Sequence, residues 1–437
     1  AVELATSSVV GDWLGDAAQT NVFEHPGARD VIRREAFERQ GATQAKDVLN
    51  RIPGVNAPEN NGTGSHDMAL NFGIRGLNPR LASRSTVLMD GIPVPFAPYG
   101  QPQLSFAPIS MGNMDAVDVV RGGGAVRYGP QNVGGVVNFV TRAIPDEPTV
   151  KGGLQTETSP SSSHDGFKTS ANLLAGGTNA NGLGGALLYS GTRGGDWREH
   201  SDTQIDDLIL KGKYQLDEAN SFNAMAQYYE GKADMPGGLT QKQYNDKPYD
   251  SVRDYDQFTG RRKDVSFKWI RQIDERTQAE ILTYYTDSFR GSTIAARDQK
   301  TLSSYPRSYY TLGIEPRVSR VFDVGPTTQE VSVGYRYLKE AMHEQSSRLA
   351  LVNNQPVVTP TSDGHVFQDR TGGTEANSVY VDNKIDVGNW TITPGIRFEH
   401  ISTDWHDRAV LDTAGKRVPE KNRSIESNEP LPALSVM

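Results

Sequence analysis

DVVRGGGAVRYGPQNVGGVVNFVTR, residues 118–142, sets two short apolar runs on either side of a glycine-loaded centre. Gly122, Gly123, Gly124, Gly129, Gly134 and Gly135 free the backbone at close intervals. A strand can enter such a segment, bend tightly against other backbone and leave as a strand. A phosphate-binding loop is a poor fit, because no Gly-Lys-Ser/Thr follows the glycines. On its chemistry alone, the stretch closes a small mixed domain.

Upstream residues supply the remainder of that domain. Ala45–Ile52 places Val48, Leu49 and Ile52 on one helical face, and Pro53-Gly54 stops it. Val31–Arg34 with Ala36–Gln40 is expected to open a short helix. Phe72–Arg75 and Ser85–Met89 read as strands, with Asp90-Gly91 as the turn before Ile92. Asp115–Val120 and Val136–Thr141 complete a small sheet. Residues 1–20 are small and polar without periodicity, as expected of a flexible leader.

Downstream of about residue 150 the texture changes to short alternating runs separated by polar loops. The clearest are Gly185–Arg193, Leu208–Tyr214, Phe222–Tyr229, Val265–Gln272, Gln278–Thr286, Gln329–Tyr337, Val379–Val387 and Trp390–Phe398. In the last, Trp390, Ile392, Pro394, Ile396 and Phe398 share one face, while Thr391, Thr393, Gly395, Arg397 and Glu399 share the other. Trp390 and Phe398 stand roughly 26 Å apart along a strand, which suits aromatics bracketing the apolar band of an outer-membrane strand. A soluble sheet with one wet face fits the alternation equally well. Glu230–Arg262 and Ala341–Thr374 read as long loops, and Asp386–Asn389 as a short turn.

Composition narrows the classes. The 437 residues are 36% apolar, with mean hydropathy −0.55, and no run reaches the roughly 18 apolar residues of a membrane helix. A β-barrel escapes that test, because its strands alternate. With no cysteines there is neither a disulfide framework nor a thiolate metal site. A net charge of −8 argues against nucleic acid as a partner. The 8 histidines show no paired metal spacing, and Ser65-His66-Asp67 are adjacent, the wrong geometry for a relay. No enzyme is expected.

Several motifs carry a resemblance. The glycine-rich stretch, IRGLNPR (74–80) and VLMDGIPVP (87–95) look like the plug domain of TonB-dependent outer-membrane transporters. APENNGTGSHD (57–67) followed by PFAPYGQPQLS (95–105) resembles the ferric citrate branch of that family. The resemblance implies a mainly β fold, a transmembrane antiparallel β-barrel with an N-terminal mixed α/β plug inside its lumen. It divides the chain into a leader (1–20), a plug (21–148) and barrel (149–437). Family barrels of this kind have about 22 strands, against ten or eleven candidates here. The expectation is therefore a plug and about the first half of the barrel, with Leu431–Met437 beginning a further strand.

The function so implied is active import of an iron chelate, ferric citrate, across the outer membrane of a Gram-negative bacterium. Its partners are outer-membrane lipid and the periplasmic protein TonB, which would pair with the energy-coupling box Thr6-Ser7-Ser8-Val9-Val10 by strand addition. Citrate holds the iron, so no cofactor or protein metal ligand is implied. The family's citrate contacts fall on Thr63, Arg75 and Gln101 of the plug and on Arg290 and Arg307 of the barrel, with a further arginine near Arg370. Guanidinium forks suit the carboxylate oxygens of such an anion. Open alternatives are a receptor for another carboxylate-type siderophore, a passive barrel or adhesion receptor, and a soluble binding protein.

Overall fold

The computed structural model describes residues 28–58, 66–121, 126–129, 131–159, 166–295, 301–352, 355–357, 366–412 and 414–436. Two sheets organise them. The smaller contains β1 (Ala28–Arg33), β2 (Thr86–Met89), β3 (Ile92–Pro93), β4 (Met114–Arg121) and β5 (Gly135–Thr141), in the order β1-β4-β5-β2-β3. The opening stretch is its spine, because β4 and β5 pair antiparallel and β5 takes β2 on its far side in parallel. Gly135 makes that return possible. Its φ is +137°, and a Cβ there would lie 2.0 Å from the Val120 carbonyl oxygen. Asp90 and Gly91 both have positive φ and join β2 to β3, the backbone that suits a two-residue hairpin.

Two short helices, α1 (Arg34–Arg39) and α2 (Ala45–Leu49), bury Phe37, Val48 and Leu49 against this sheet. Residues 31–33, expected to open a helix, instead continue β1 in antiparallel pairing with β4, and the helix begins at Arg34. The Arg29 guanidinium, buried, grips the Asp118 carboxylate at 2.7 Å from the neighbouring strand. Pairing across the sheet overrides the local helical preference there.

The larger sheet has 14 strands, of which Leu302–Ser304 and Gln355–Val357 are short additions, leaving twelve long ones. In chain order these are β6 (Thr149–Ser159), β7 (Gly166–Thr178), β8 (Leu183–Gly195), β9 (Thr203–Gln215), β10 (Asn220–Asp234), β11 (Gln257–Asp274), β12 (Thr277–Ala295), β13 (Arg307–Val324), β14 (Thr327–Val352), β15 (Val366–Val387), β16 (Trp390–Asp407) and β17 (Lys421–Val436). Each pairs antiparallel with the next. One end carries tight turns such as 275–276, 325–326 and 388–389; the other carries long connections such as 235–256. Short turns on one side and long loops on the other are the signature of an outer-membrane barrel.

The sheet curves around the small domain. Leu174, Leu188, Ile209, Met225, Leu282 and Tyr284, from its concave face, join one buried cluster with Val48, Val117, Val137 and Phe139 of the plug. The outer face is apolar and bare: on β16, Trp390 is 60% exposed and Phe398 49%, while Arg397 and Glu399 between and beside them are buried.

Three sequence expectations give way here. The long loop expected over Glu230–Arg262 narrows to 235–256, and residues 341–352 and 366–374 are strand, not loop, because β10, β11, β14 and β15 run well past the apolar band. The run Leu431–Val436 ends a strand that starts at Lys421, and does not begin one. The three departures have the same cause: where neither face meets lipid, a strand has no apolar alternation to show.

Candidate functional site

One rung of the large sheet crosses all twelve long strands. In register it reads Gln155, Ser170, Thr192, Ile205, Gly231, Gly260, Arg290, Arg307, Glu344, Arg370, Asp407 and Lys421. Residues directly opposite across a ladder share a face. Thr286, Ser288, Tyr309, Met342 and Glu344 are buried on the same alternation, so the face is the concave one. The rung lies toward the end with the long connections.

Its two glycines admit the plug. A Cβ at Gly231 would lie 2.2 Å from Met68 Sδ, and one at Gly260 would lie 2.5 Å from the Phe106 ring. Phe106 packs edge-on to Tyr229 and stacks with Phe96, which lies flat on Tyr309 at 5.0 Å. An aromatic floor therefore sits level with the glycines, and the charged half of the rung begins beside it.

Arg290 and Arg307 are neighbours on β12 and β13. Arg307 pairs with the buried Glu344 carboxylate at 3.2 Å. Tyr309 donates its hydroxyl to the same oxygen at 3.4 Å. Arg370 pairs with Asp407 and lies over the Trp405 ring at 5.3 Å. The Nε atoms of Arg290 and Arg307 are both buried with no acceptor among the described residues. Two guanidinium groups thus present unused donors on a water-poor surface, as an oxyanion-rich ligand requires.

The plug brings the Tyr99-Gly100 backbone to this face. The N–H groups of Gly100 and Tyr99 donate to the Glu340 carboxylate at 2.6 and 3.2 Å, four residues below Glu344 on the same face of β14. A Cβ on Gly100 would press on Met342 at 2.7 Å. Gln101 donates its amide to Gln103 at 2.5 Å. His66 stacks on Phe258 at 4.2 Å, and its Nδ1 is buried without a partner among the described residues. Burial lowers its pKa to about 4; the Asp67 charge opposes the shift and the Arg290 charge reinforces it. Burial alone would raise Asp67, but the Lys168 ammonium at 2.7 Å and the Gln44 amide hold it below the usual carboxylate range.

Of the residues singled out in the sequence, Arg290, Arg307 and Arg370 lie along this rung, and Gln101 follows Gly100, whose N–H reaches Glu340 on the same face of β14. Arg75 is exposed at φ +53°, with its backbone N–H on the Gly54 carbonyl at 2.8 Å. Thr63 and the box Thr6–Val10 lie outside the described residues. Sequence reasoning missed Glu344, Tyr309 and Trp405. Tyr309 could have been found, since it sits two residues after Arg307 and hence on its face. Glu344 lay in a segment without periodicity.

The site is held by a seam in which barrel side chains grip plug backbone. Arg262 donates to the carbonyls of Pro93 (3.0 Å) and Val94 while pairing with Asp264. Arg336 donates to Gly129 O at 2.7 Å, and Thr311 to Phe96 O at 2.7 Å. In the other direction the plug's Arg127 pairs with Asp382 at 2.9 Å. Among the described residues no cluster of metal-ligating side chains occurs.

Comparison with known proteins agrees with this architecture. Residues 21–136 match the family model of the TonB-dependent receptor plug domain, and residues 158–437 match that of the TonB-dependent receptor-like β-barrel. Among solved structures, the chain is similar to the ferric citrate transporter FecA in its unliganded form, with 57% identity and a TM-score of 0.91 over 98% of this chain and 63% of that one. It shares its fold with the siderophore receptor PiuA from Acinetobacter baumannii, at 14% identity and TM-score 0.73, over 94% of this chain and 62% of that one. Among curated proteins it is 27% identical over 266 residues to the vitamin B12 transporter BtuB of Vibrio cholerae serotype O1, which covers 59% of this chain. The chain spans 41% of the length of that relative.

Proposed function

Because the chain belongs to the TonB-dependent receptor family, we propose that it is the plug and the first part of the barrel of an outer-membrane importer for an iron chelate, most specifically ferric citrate. In this reading residues 21–148 are the plug and 149–437 the wall. The long connections face the outside, and the leader 1–20 carries the TonB box at Thr6–Val10 toward the periplasm. The observation that carries the reading is the pair of neighbouring arginines with buried, unused Nε donors, set beside a tyrosine and above an aromatic floor. The likeness to a ferric citrate transporter supports the choice of chelate.

The chemistry is binding and passage, with no bond made or broken in the ligand. The protein as a whole is acidic, so an anionic chelate is drawn in only where positive charge is concentrated locally. Arg290, Arg307 and Arg370 concentrate it, Gln101 offers an amide from the plug, and the iron keeps its citrate ligands. Thr63 is proposed as a further plug contact. Arg75 is proposed as another. A passive pore or adhesion barrel is disfavoured, because it has no use for a plug gripped on so many sides.

The test is ferric citrate titration of Arg290→Ala and Arg307→Ala at fixed ionic strength. A charge-assisted hydrogen bond is worth roughly 1.5–3 kcal/mol, so each loss should weaken binding by about tenfold to a hundredfold. Unchanged affinity in both variants overturns the citrate site.

A further inference from the structure

The rung that supplies the arginines also supplies their counter-charges. Arg307 has Glu344 and Arg370 has Asp407; Arg290 has no carboxylate at ion-pair distance among the described residues. Glu344 is 6% exposed, so its charge is held inside the same dry surface as the two guanidinium groups. It approaches Arg307 at 3.2 Å through Nη1, and the Arg307 Nε is left unused. A carboxylate whose purpose was only to fix a half-buried arginine would be expected to engage its Nε as well.

We propose that Glu344 is a specificity-determining residue, an internal carboxylate that occupies Arg307 in the ligand-free protein and that an incoming anion must outcompete. The proposal rests on the chelate-binding reading above and deepens it. Without Glu344, Arg290 and Arg307 would face each other across one ladder rung as bare like charges, which is unfavourable in a water-poor setting. With Glu344 present, the empty site is electrostatically tolerable. An arriving carboxylate that adds acceptors to Arg290 and to Arg307 Nε then lies beside the Glu344 charge. A ligand with few negative charges gains too little to offset that repulsion. A chelate carrying several carboxylate oxygens engages both guanidinium groups at once and does offset it. Glu344 thereby sets a minimum anionic charge for binding. The Tyr309 hydroxyl, within 3.4 Å of the same Glu344 oxygen, is placed to transfer its hydrogen bond to the ligand when Glu344 is displaced.

The test is titration of Glu344→Gln with two probes, ferric citrate and iron-free citrate, beside Arg290→Ala and Arg307→Ala. Glutamine keeps the shape and the acceptor but removes the charge. The proposal requires tighter binding of both probes in Glu344→Gln, by about tenfold or more, since a unit charge in close, partly buried contact is worth at least that. It also requires that the preference for ferric citrate over citrate shrink. A residue that only positions Arg307 would give the opposite sign, weaker binding of both probes. Equal or weaker binding in Glu344→Gln, with the arginine variants impaired, overturns the role of Glu344 and leaves the citrate site standing. Unimpaired arginine variants overturn both. Glu375→Gln, removing the exposed partner of Lys339, serves as the control for a change in overall charge, and tightening of equal size there also overturns the proposal.

Discussion

At the scale of single residues, the site combines what sequence motifs reveal with what only a ladder can. Arg290 and Arg307 were legible through their flanking residues. Their adjacency was not, because register between strands is a long-range property with no local trace. His66 shows the same limit: read as part of an unproductive Ser-His-Asp triplet, it proves to be a stacked ring beside Arg290. Its pKa of about 4 lies below the ordinary value of 6.5, so the folded protein disfavours the imidazolium. Between roughly pH 6.5 and 4 the unfolded chain therefore holds a proton that the folded chain refuses. Stability falls as pH drops through that window and levels off below it, by at most about 1.4 kcal/mol per pH unit. Thermal unfolding at pH 7, 6, 5 and 4.5 should show this fall, and His66→Gln should flatten it. An unchanged pH slope in the variant would mean that other groups cause it.

At the scale of elements, legibility tracks the solvent. The segments of β8 to β12 and of β14 to β16 that cross the apolar band alternate clearly, and the alternation reads as strand there. Their extensions beyond it, such as 341–348 and 366–374, carry polar residues on both faces and read as loop. The same physics predicts which tryptophan meets lipid. Trp390 stands outward on β16 at 60% exposure, whereas Trp405 turns inward beneath Arg370. In vesicles containing brominated lipid, Trp390→Phe should remove a strongly quenched component of the fluorescence, and Trp405→Phe an unquenched one. Equal quenching of the two would reverse the assignment of faces.

At the scale of the whole molecule, plug and wall are bound by side chains reaching for backbone. Hydrophobic contact supplies the area, while Arg262, Arg336 and Thr311 fix the orientation through carbonyl oxygens of the plug. Arg262→Ala should loosen the β2–β3 hairpin it holds. The Val94 amide, bonded to Val87 O at 3.0 Å, should then exchange with solvent about ten to a hundred times faster, given roughly 1.5–3 kcal/mol for each charged bond lost. Unaltered exchange would show that packing alone keeps the hairpin in place. Such a seam was invisible in sequence, since an arginine bound to a carbonyl and one bound to water look alike there.

The rung itself has a consequence for how chains of this shape can diversify. Every charged group in it comes from a different strand, and each is located by counting along a ladder from the tight turns. Lengthening a long connection such as 235–256 adds chain above the rung and moves none of its members. Deleting one residue from a strand below the rung turns every later side chain of that strand from the inside to the outside, replacing an arginine in the cavity with one in the lipid. Insertions and deletions among homologues should therefore gather at one end of the cylinder, and changes of cargo should come by exchanging letters at fixed heights.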